Sequence, residues 1–254
     1  MTKTILITGS TDGIGLLAAK TLANQGHHVI LHGRSVEKLA AAAKDIDGVI
    51  ATYQADISSL GATRDMAKTI AAAHPKIDVL INNAGVFKVA DPVLPNGQDV
   101  RFVVNTLAPH VLTMGLLPVI PKQGRIINLS SAAQAAVDTA ALAGQCRLDD
   151  MVAYAQSKRA IALWSAEMAA LHPDGPVFIA VNPGSLLASK MVREGFGIAG
   201  NDLSIGSDIL CRLALDDSFA TASGRYWDND AGGFGHVDLA QGASVMNAIK
   251  SLTA

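Results

Sequence analysis

Three tyrosines occur in the chain, and of these only Tyr154 has a lysine four residues on, Lys158. The segment from Met151 to Trp164 reads as helix, where residues four apart share a face. A phenol titrates near 10. An ammonium beside it favours the phenolate and draws that value toward working pH. Such a phenol can give a proton to a carbonyl oxygen as hydride reaches the carbon, or remove it from an alcohol in reverse. A lone Tyr/Lys pair is more often ordinary helix surface, so the chemistry needs partners. Hydroxyls stand at Ser130-Ser131, just after the strand-like run Arg125–Leu129. Two other apolar runs end in Asn82-Asn83-Ala84-Gly85 and Asn182-Pro183-Gly184.

A second constellation opens the chain. The run Thr4–Thr8 ends in Gly9-Ser10-Thr11-Asp12-Gly13-Ile14-Gly15, and a helical pattern starts there. Glycines let the backbone approach a pyrophosphate, and a helix N-terminus offers free N–H groups to the anion. The spacing is Gly-x3-Gly-x-Gly, unlike the usual dinucleotide fingerprint. Alone, such a turn could equally serve packing. The second strand ends at His32-Gly33-Arg34, with no acidic residue between 28 and 35. An acid there would hold the ribose hydroxyl of NAD, whereas an arginine accommodates the 2′-phosphate of NADP. Arg34 therefore favours NADP(H), with NAD(H) still open and an exposed helix-leading arginine as the plain alternative.

Strand-like and helical runs alternate from the first residues onward, which calls for a buried, mostly parallel sheet. The expected strands are 4–8, 28–31, 49–53, 77–81, 125–129, 177–181 and, last, 225–227. The expected helices are 14–25, 36–44, 59–73, 99–117, 150–171 and 207–215. No linker or repeat interrupts them, so residues 1–254 form one doubly wound α/β domain of Rossmann type, with helices on both faces. All the polar strand ends then lie at the carboxyl edge, where such sheets bind ligands.

Composition narrows the field. Half the residues are apolar, 17% are charged and the net charge is −2. No basic stripe appears, which excludes nucleic acid as an expected partner. The longest apolar stretch, 107–120, is too short and too interrupted for a bilayer span of ~20 residues. Two cysteines, Cys146 and Cys211, make no disulfide framework, and no signal-peptide pattern opens the chain, so a cytoplasmic location is expected. Seven histidines bring no metal expectation: His28 and His32 fall on a strand without a Cys or carboxylate cluster. Ser131 lacks the Gly-x-Ser-x-Gly elbow of a hydrolase.

Taken in order, Thr8-Gly9-x3-Gly13-Ile14-Gly15, Asn82-Asn83-Ala84-Gly85, Asn105, Ser131, Tyr154-x3-Lys158 and Pro183-Gly184 resemble the short-chain dehydrogenase/reductase family over nearly the whole chain. The resemblance implies that Tyr154 is the acid/base and that Ser131 hydrogen-bonds the substrate oxygen, although adjacent Ser130 leaves that choice open. It implies that Lys158 binds nicotinamide ribose hydroxyls and tunes Tyr154, and that Asn105 holds a proton-relaying water. The cofactor would rest on Gly9, Ser10, Thr11, Asp12, Gly13, Ile14 and Gly15, on Asn83, Ala84 and Gly85, and on Pro183 and Gly184. Asp56, with Ile57 beside it, resembles the adenine contact, and Asp56 also suits a helix N-terminus. Ser189 lies one residue off the family's nicotinamide-contacting hydroxyl.

The distance from Ser131 to Tyr154, 23 residues (131 to 154), exceeds that of many members. With Tyr154-Ala155-Gln156-Ser157-Lys158, it is similar to the retinol-dehydrogenase-like branch, which acts on lipophilic carbonyls and alcohols. Residues 184–206 would cover the substrate, with Leu186, Leu187, Met191, Val192, Phe196 and Ile198 giving an apolar cleft. A homodimer or homotetramer is expected, paired through the helices carrying Asn105 and Tyr154. NAD-dependent alcohol oxidation on the same fold and a non-catalytic NADP(H) sensor are the alternatives.

Overall fold

The apolar runs become the strands of one sheet. They are β1 (Thr4–Ile7), β2 (His28–Gly33), β3 (Val49–Gln54), β4 (Val79–Asn82), β5 (Arg125–Leu129), β6 (Val177–Asn182), β7 (Tyr226–Asp228) and β8 (Gly233–Gly235). The computed structural model describes residues 1–254, the side chain of Phe196 excepted. The sheet order is β3-β2-β1-β4-β5-β6-β7-β8. Neighbours pair in parallel from β3 through β7, and β8 runs antiparallel to β7. The order reverses between β1 and β4, which opens a crevice at the carboxyl edge.

Alternation along each strand feeds two apolar layers. Leu6, Ile30, Leu80, Ile126 and Phe178 face one layer, with Phe102, Leu107, Trp164 and Ile249 from the helices. Ile5, Ile7, Val29, Leu31, Val79 and Ile127 face the other, against Leu22, Ile209 and Leu213. Strands β4, β5 and β6 are buried at every position, as a sheet covered on both faces requires.

Three features depart from the sequence reading. First, the sheet does not end at 225–227. A reversal brings Gly233–Gly235 back along β7, and a further helix, Gly242–Thr253, follows. A Gly-Phe-Gly strand has almost no intrinsic β signal. The helix buries Val245, Met246 and Ile249 and packs on the long helix Asp150–Leu171. Second, the extra residues before Tyr154 form a short helix, Thr139–Leu142, capped by Asp138. The Gln241 side chain ties it down, accepting from Val137 N at 2.9 Å and donating to Val137 O at 3.0 Å.

Third, the middle helix extends over Val100–Val119, 20 residues with mean hydropathy 1.5. It is long and apolar enough to cross a bilayer, contrary to the reading of 107–120, yet 72% of it is buried inside the protein. It packs against Leu60–Ala73, so its apolar surface serves the core. Residues Val103–Leu107 are wound as π-helix: Ala108 N bonds Val103 O, five residues back. Pro109 supplies the reason, since it has no N–H to close the α-helical bond to the Asn105 carbonyl. Such widenings recur at functional sites.

Candidate active site

The phosphate loop is held from three sides. Gly9 turns at φ +64°. The Asn83 amide donates to Thr8 O at 2.8 Å and Gly9 O at 3.1 Å, and Thr8 Oγ1 accepts from Asn83 N and Ala84 N, both at 3.0 Å. From β2, His32 Nδ1 accepts from Gly9 N at 3.2 Å while Nε2 faces Ala55 O at 3.2 Å. Burial pushes the His32 imidazole down to about 4, so it stays neutral and keeps Nδ1 an acceptor. Sequence reasoning weighed His32 as a metal ligand and missed this supporting role.

Close packing explains two of the glycines. A Cβ on Gly15 would stand 2.4 Å from Asn83 Nδ2 and 2.5 Å from Gly9 O, and one on Gly33 would stand 2.7 Å from Thr11 Cγ2. Asp12 caps the helix Gly13–Asn24 through Gly13 N at 2.8 Å. Among the described residues, nothing accepts from the N–H groups of Ile14 and Gly15, the donors an anion would take. The cradle therefore fits a dinucleotide pyrophosphate.

Next to it, Arg34 is exposed at the end of β2, its carbonyl held by the Gln54 amide at 3.1 Å. Lys38 pairs with Asp12 at 3.3 Å, both well exposed, which brings a second cation to this edge. Asp56 accepts from Ser58 N at 3.0 Å after β3, and Ile57 is buried beside it.

Tyr154 and Lys158 lie on the helix Asp150–Leu171, with the ammonium 5.8 Å from the phenol ring centroid. Lys158 Nζ donates to Leu129 O at 2.8 Å, and Ser130 Oγ donates to Lys158 O at 2.6 Å, which locks this helix to the end of β5. Ser130 is thus spent on the backbone. Ser131 Oγ accepts from Ala133 N at 3.2 Å and is the hydroxyl close enough to lower the Tyr154 phenol through a hydrogen bond. Burial lowers the Lys158 ammonium to about 8.

The expected lowering of the tyrosine does not appear in this arrangement. Burial raises the Tyr154 phenol above its ordinary value, because the phenolate loses water, and the Ser131 hydrogen bond offsets this only in part. Near neutral pH the phenol is therefore a proton donor.

Asn105 is tied into the same corner. Its Nδ2 donates to Val86 O and to Ser157 Oγ, both at 3.0 Å, and its Oδ1 accepts from Val86 N at 2.8 Å. A Cβ on Gly85 would lie 3.3 Å from Asn105 Oδ1 and 3.4 Å from Lys158 Nζ, so both side chains converge there. Pro109, four residues further on, has no N–H to give the Asn105 carbonyl. Arg101, one turn before Asn105, is fully buried and joins the starts of the two helices. It donates to Asp99 at 2.8 and 2.6 Å and also pairs with Asp150.

The third strand end leads into the cover of the site. Gly184 takes φ +125°. Ser189 caps a short helix, Lys190–Phe196, by accepting from Val192 N at 3.2 Å, so its oxygen is engaged locally. Met191 Cε lies over Gly85, 3.8 Å from where a Cβ would stand. Leu187 and Val192 are buried, whereas Leu186 and Ile198 are exposed. The Phe196 side chain lies outside the described residues. Phe87, which sequence reasoning missed, packs on Tyr154 with ring centroids 5.0 Å apart, and Gly195 of the cover rests against it.

The short chain dehydrogenase family profile matches residues 3–196. The chain is a short-chain dehydrogenase. The dehydrogenase is 34% identical to human retinol dehydrogenase 13, over 89% of this chain and 76% of the relative. It is 30% identical to mouse retinol dehydrogenase 12, over 89% and 78%. It therefore belongs to the retinol-dehydrogenase-like branch and is an NAD(P)-dependent oxidoreductase. A protein from Mycobacterium paratuberculosis shares the fold over 99% of this chain and 93% of its own, with TM-score 0.82 and 25% identity. A short-chain dehydrogenase from Escherichia coli CFT073, solved with NADPH, matches over 89% and 96%, with TM-score 0.72 and 26% identity.

Proposed function

We propose that this dehydrogenase interconverts a small lipophilic carbonyl compound and its alcohol, with NADP(H) as the preferred nucleotide. The observation that carries the reading is the half-buried Tyr154 phenol, beside Ser131 and backed by Lys158, at the sheet edge that also holds the glycine loop. A bound nicotinamide supplies or accepts the hydride. In reduction, Tyr154 gives its proton to the substrate oxygen, and Ser131 directs a second hydrogen bond to that oxygen. Lys158, charged below about pH 8, stabilises the phenolate left behind. The Asn105 carbonyl holds the water that returns a proton toward Lys158.

Arg34, joined by Lys38, would face a 2′-phosphate, and the NADPH bound to the Escherichia coli relative supports that choice. Lipophilic specificity is supported by the retinol dehydrogenase relatives and by Phe87 and Met191 around Tyr154. Pairing into a homodimer or homotetramer belongs to the same proposal. The helix Gly242–Thr253 already covers part of the Asp150–Leu171 helix, which leaves exposed Met114, Met151 and Val152 for a partner. We place the protein in the cytoplasm, where Cys146 and Cys211 stay reduced.

Titration with NADPH and NADH, followed by tryptophan quenching, tests the nucleotide assignment. NADPH binding at least about tenfold tighter, ~1.4 kcal/mol, is expected. Equal or tighter NADH binding would overturn the preference.

A further inference from the structure

We propose that Asp230, in the turn between β7 and β8, is a positioning residue that fixes where the nicotinamide half of the cofactor lies. This rests on the reading above, in which the cofactor lies on Pro183 and Gly184: they follow β6, next in the sheet to the β5 end that leads to Ser131, so the half they meet is the reacting one. One Asp230 oxygen accepts from Ser185 N at 2.9 Å. The other accepts from Ser185 Oγ at 2.5 Å and from Asn182 Nδ2 at 2.8 Å. Pro183 and Gly184 are thus strung between two residues clamped by one carboxylate. Those hydrogen bonds outweigh the effect of burial and hold the Asp230 carboxyl below its ordinary value.

The rest of the turn serves the same segment. Asn229 Nδ2 donates to Pro183 O at 3.1 Å and to Ile205 O at 3.2 Å, beyond the cover. Trp227 Nε1 steadies Asn229 by donating to its Oδ1 at 3.3 Å. Asn182 is buried and gives its second N–H to Asp228 Oδ1 at 2.9 Å. The turn can do this because Gly232, at φ +66°, returns the chain into β8, with Asp228 paired to Gly233. Ser185 also begins the cover. Asn201 Nδ2 donates to Ser185 O at 3.0 Å, and Asn201 N donates to Leu186 O at 2.7 Å. One post therefore carries both the Pro183-Gly184 edge and the near hinge of the cover. A charged acceptor suits it, since hydrogen bonds to a carboxylate are the strong ones.

The test uses two nucleotides: NADPH, and 2′-phospho-ADP-ribose, which lacks the nicotinamide. Dissociation constants come from tryptophan quenching, and the emission of bound NADPH reports on its nicotinamide. In Asp230→Asn, an amide NH2 replaces one acceptor oxygen and faces other donors. NADPH binding is expected to weaken about tenfold in Asp230→Asn and about threefold in Ser185→Ala. Binding of 2′-phospho-ADP-ribose should stay unchanged in both, and the emission of bound NADPH should shift toward that of the free nucleotide. Equal weakening for both probes, or no change in either, would overturn the proposal. If Asp230→Asn does not fold, Ser185→Ala, which leaves the Asn182 bond in place, decides by the same readouts. A wild-type chain that binds neither probe overturns the nucleotide reading itself, and the proposal with it.

Discussion

The two ends of the cofactor edge are built in different ways. At the phosphate end, Gly9 is gripped by His32 and Asn83, side chains from strand ends beside it in the sheet. Each contact there belongs to a short motif at the end of β1, β2 or β4. At the end proposed to hold the nicotinamide, Ser185 is held by Asp230, 45 residues further along, on a turn that exists only because β7 and β8 pair. A motif can encode a loop whose supports lie at neighbouring strand ends. A loop supported by a late hairpin depends on tertiary structure that no local pattern announces.

The largest effect that sharpens this contrast is expected between the two ends. Tyr154→Phe should cut kcat by roughly 10²- to 10⁴-fold while leaving the NADPH dissociation constant within about twofold, because it removes a proton donor and no cofactor anchor. Stopped-flow absorbance with an apolar aldehyde separates the two quantities. Weakened NADPH binding would place Tyr154 among the anchors and blur the comparison.

Gly15→Ala comes next. Its Cβ would meet backbone, Gly9 O, which cannot swing aside as a side chain can. NADPH and NADH affinity should both fall by about tenfold or more, the equivalent of ~1.4 kcal/mol. Arg34→Ala should weaken NADPH by a similar factor and leave NADH alone. Equal losses for both nucleotides in Arg34→Ala would show that the arginine orders the loop and does not read the 2′-phosphate.

Two buried histidines, of which His32 belongs to the phosphate end, give the fold a signature in pH. His32 and His110 are both lowered by burial to about 4, against an unfolded value near 6.5. Between those values the unfolded chain binds protons that the folded chain does not, so stability falls as pH falls through that window. Each histidine should cost about 1.4 kcal/mol per pH unit there. Urea unfolding of the wild type and of His32→Gln across pH 7 to 4.5 would reveal it; identical slopes would remove His32 from this role. The smallest effect is expected in the cover: Ser189→Ala should cost about 1 kcal/mol of local cap stability, visible as faster amide exchange at Val192.

How far the sequence could be read follows the same divide. Strand ends, glycine turns and the Tyr154/Lys158 pair were legible because each is local, and the whole of β5 and of the Asp150–Leu171 helix falls where the pattern put it. The π-helical turn was legible in principle, since Pro109 sits four residues beyond Asn105, but the regular apolar pattern hid it. The role of His32 was hidden because a strand histidine shows its partner only once β1 lies beside it. β8 and Asp230 were hidden more deeply: neither Gly-Phe-Gly nor an Asp-Asn-Asp turn signals a partner until β6 and β7 are paired. The Tyr154 phenol is raised where a lowering was expected, because burial acts on it more strongly than its hydrogen bond to Ser131.

In the proposed reaction, Tyr154 completes hydride transfer from NADPH to a lipophilic carbonyl. The most direct measurement supplies NADPH deuterated at nicotinamide C4, in both stereochemical forms, with a panel of aliphatic and aromatic aldehydes, and weighs the alcohols by mass spectrometry. One deuterium is expected in the alcohol from one of the two forms, and almost none with Tyr154→Phe. Tight NADPH binding without deuterium in any product, or equal transfer by Tyr154→Phe, would contradict it.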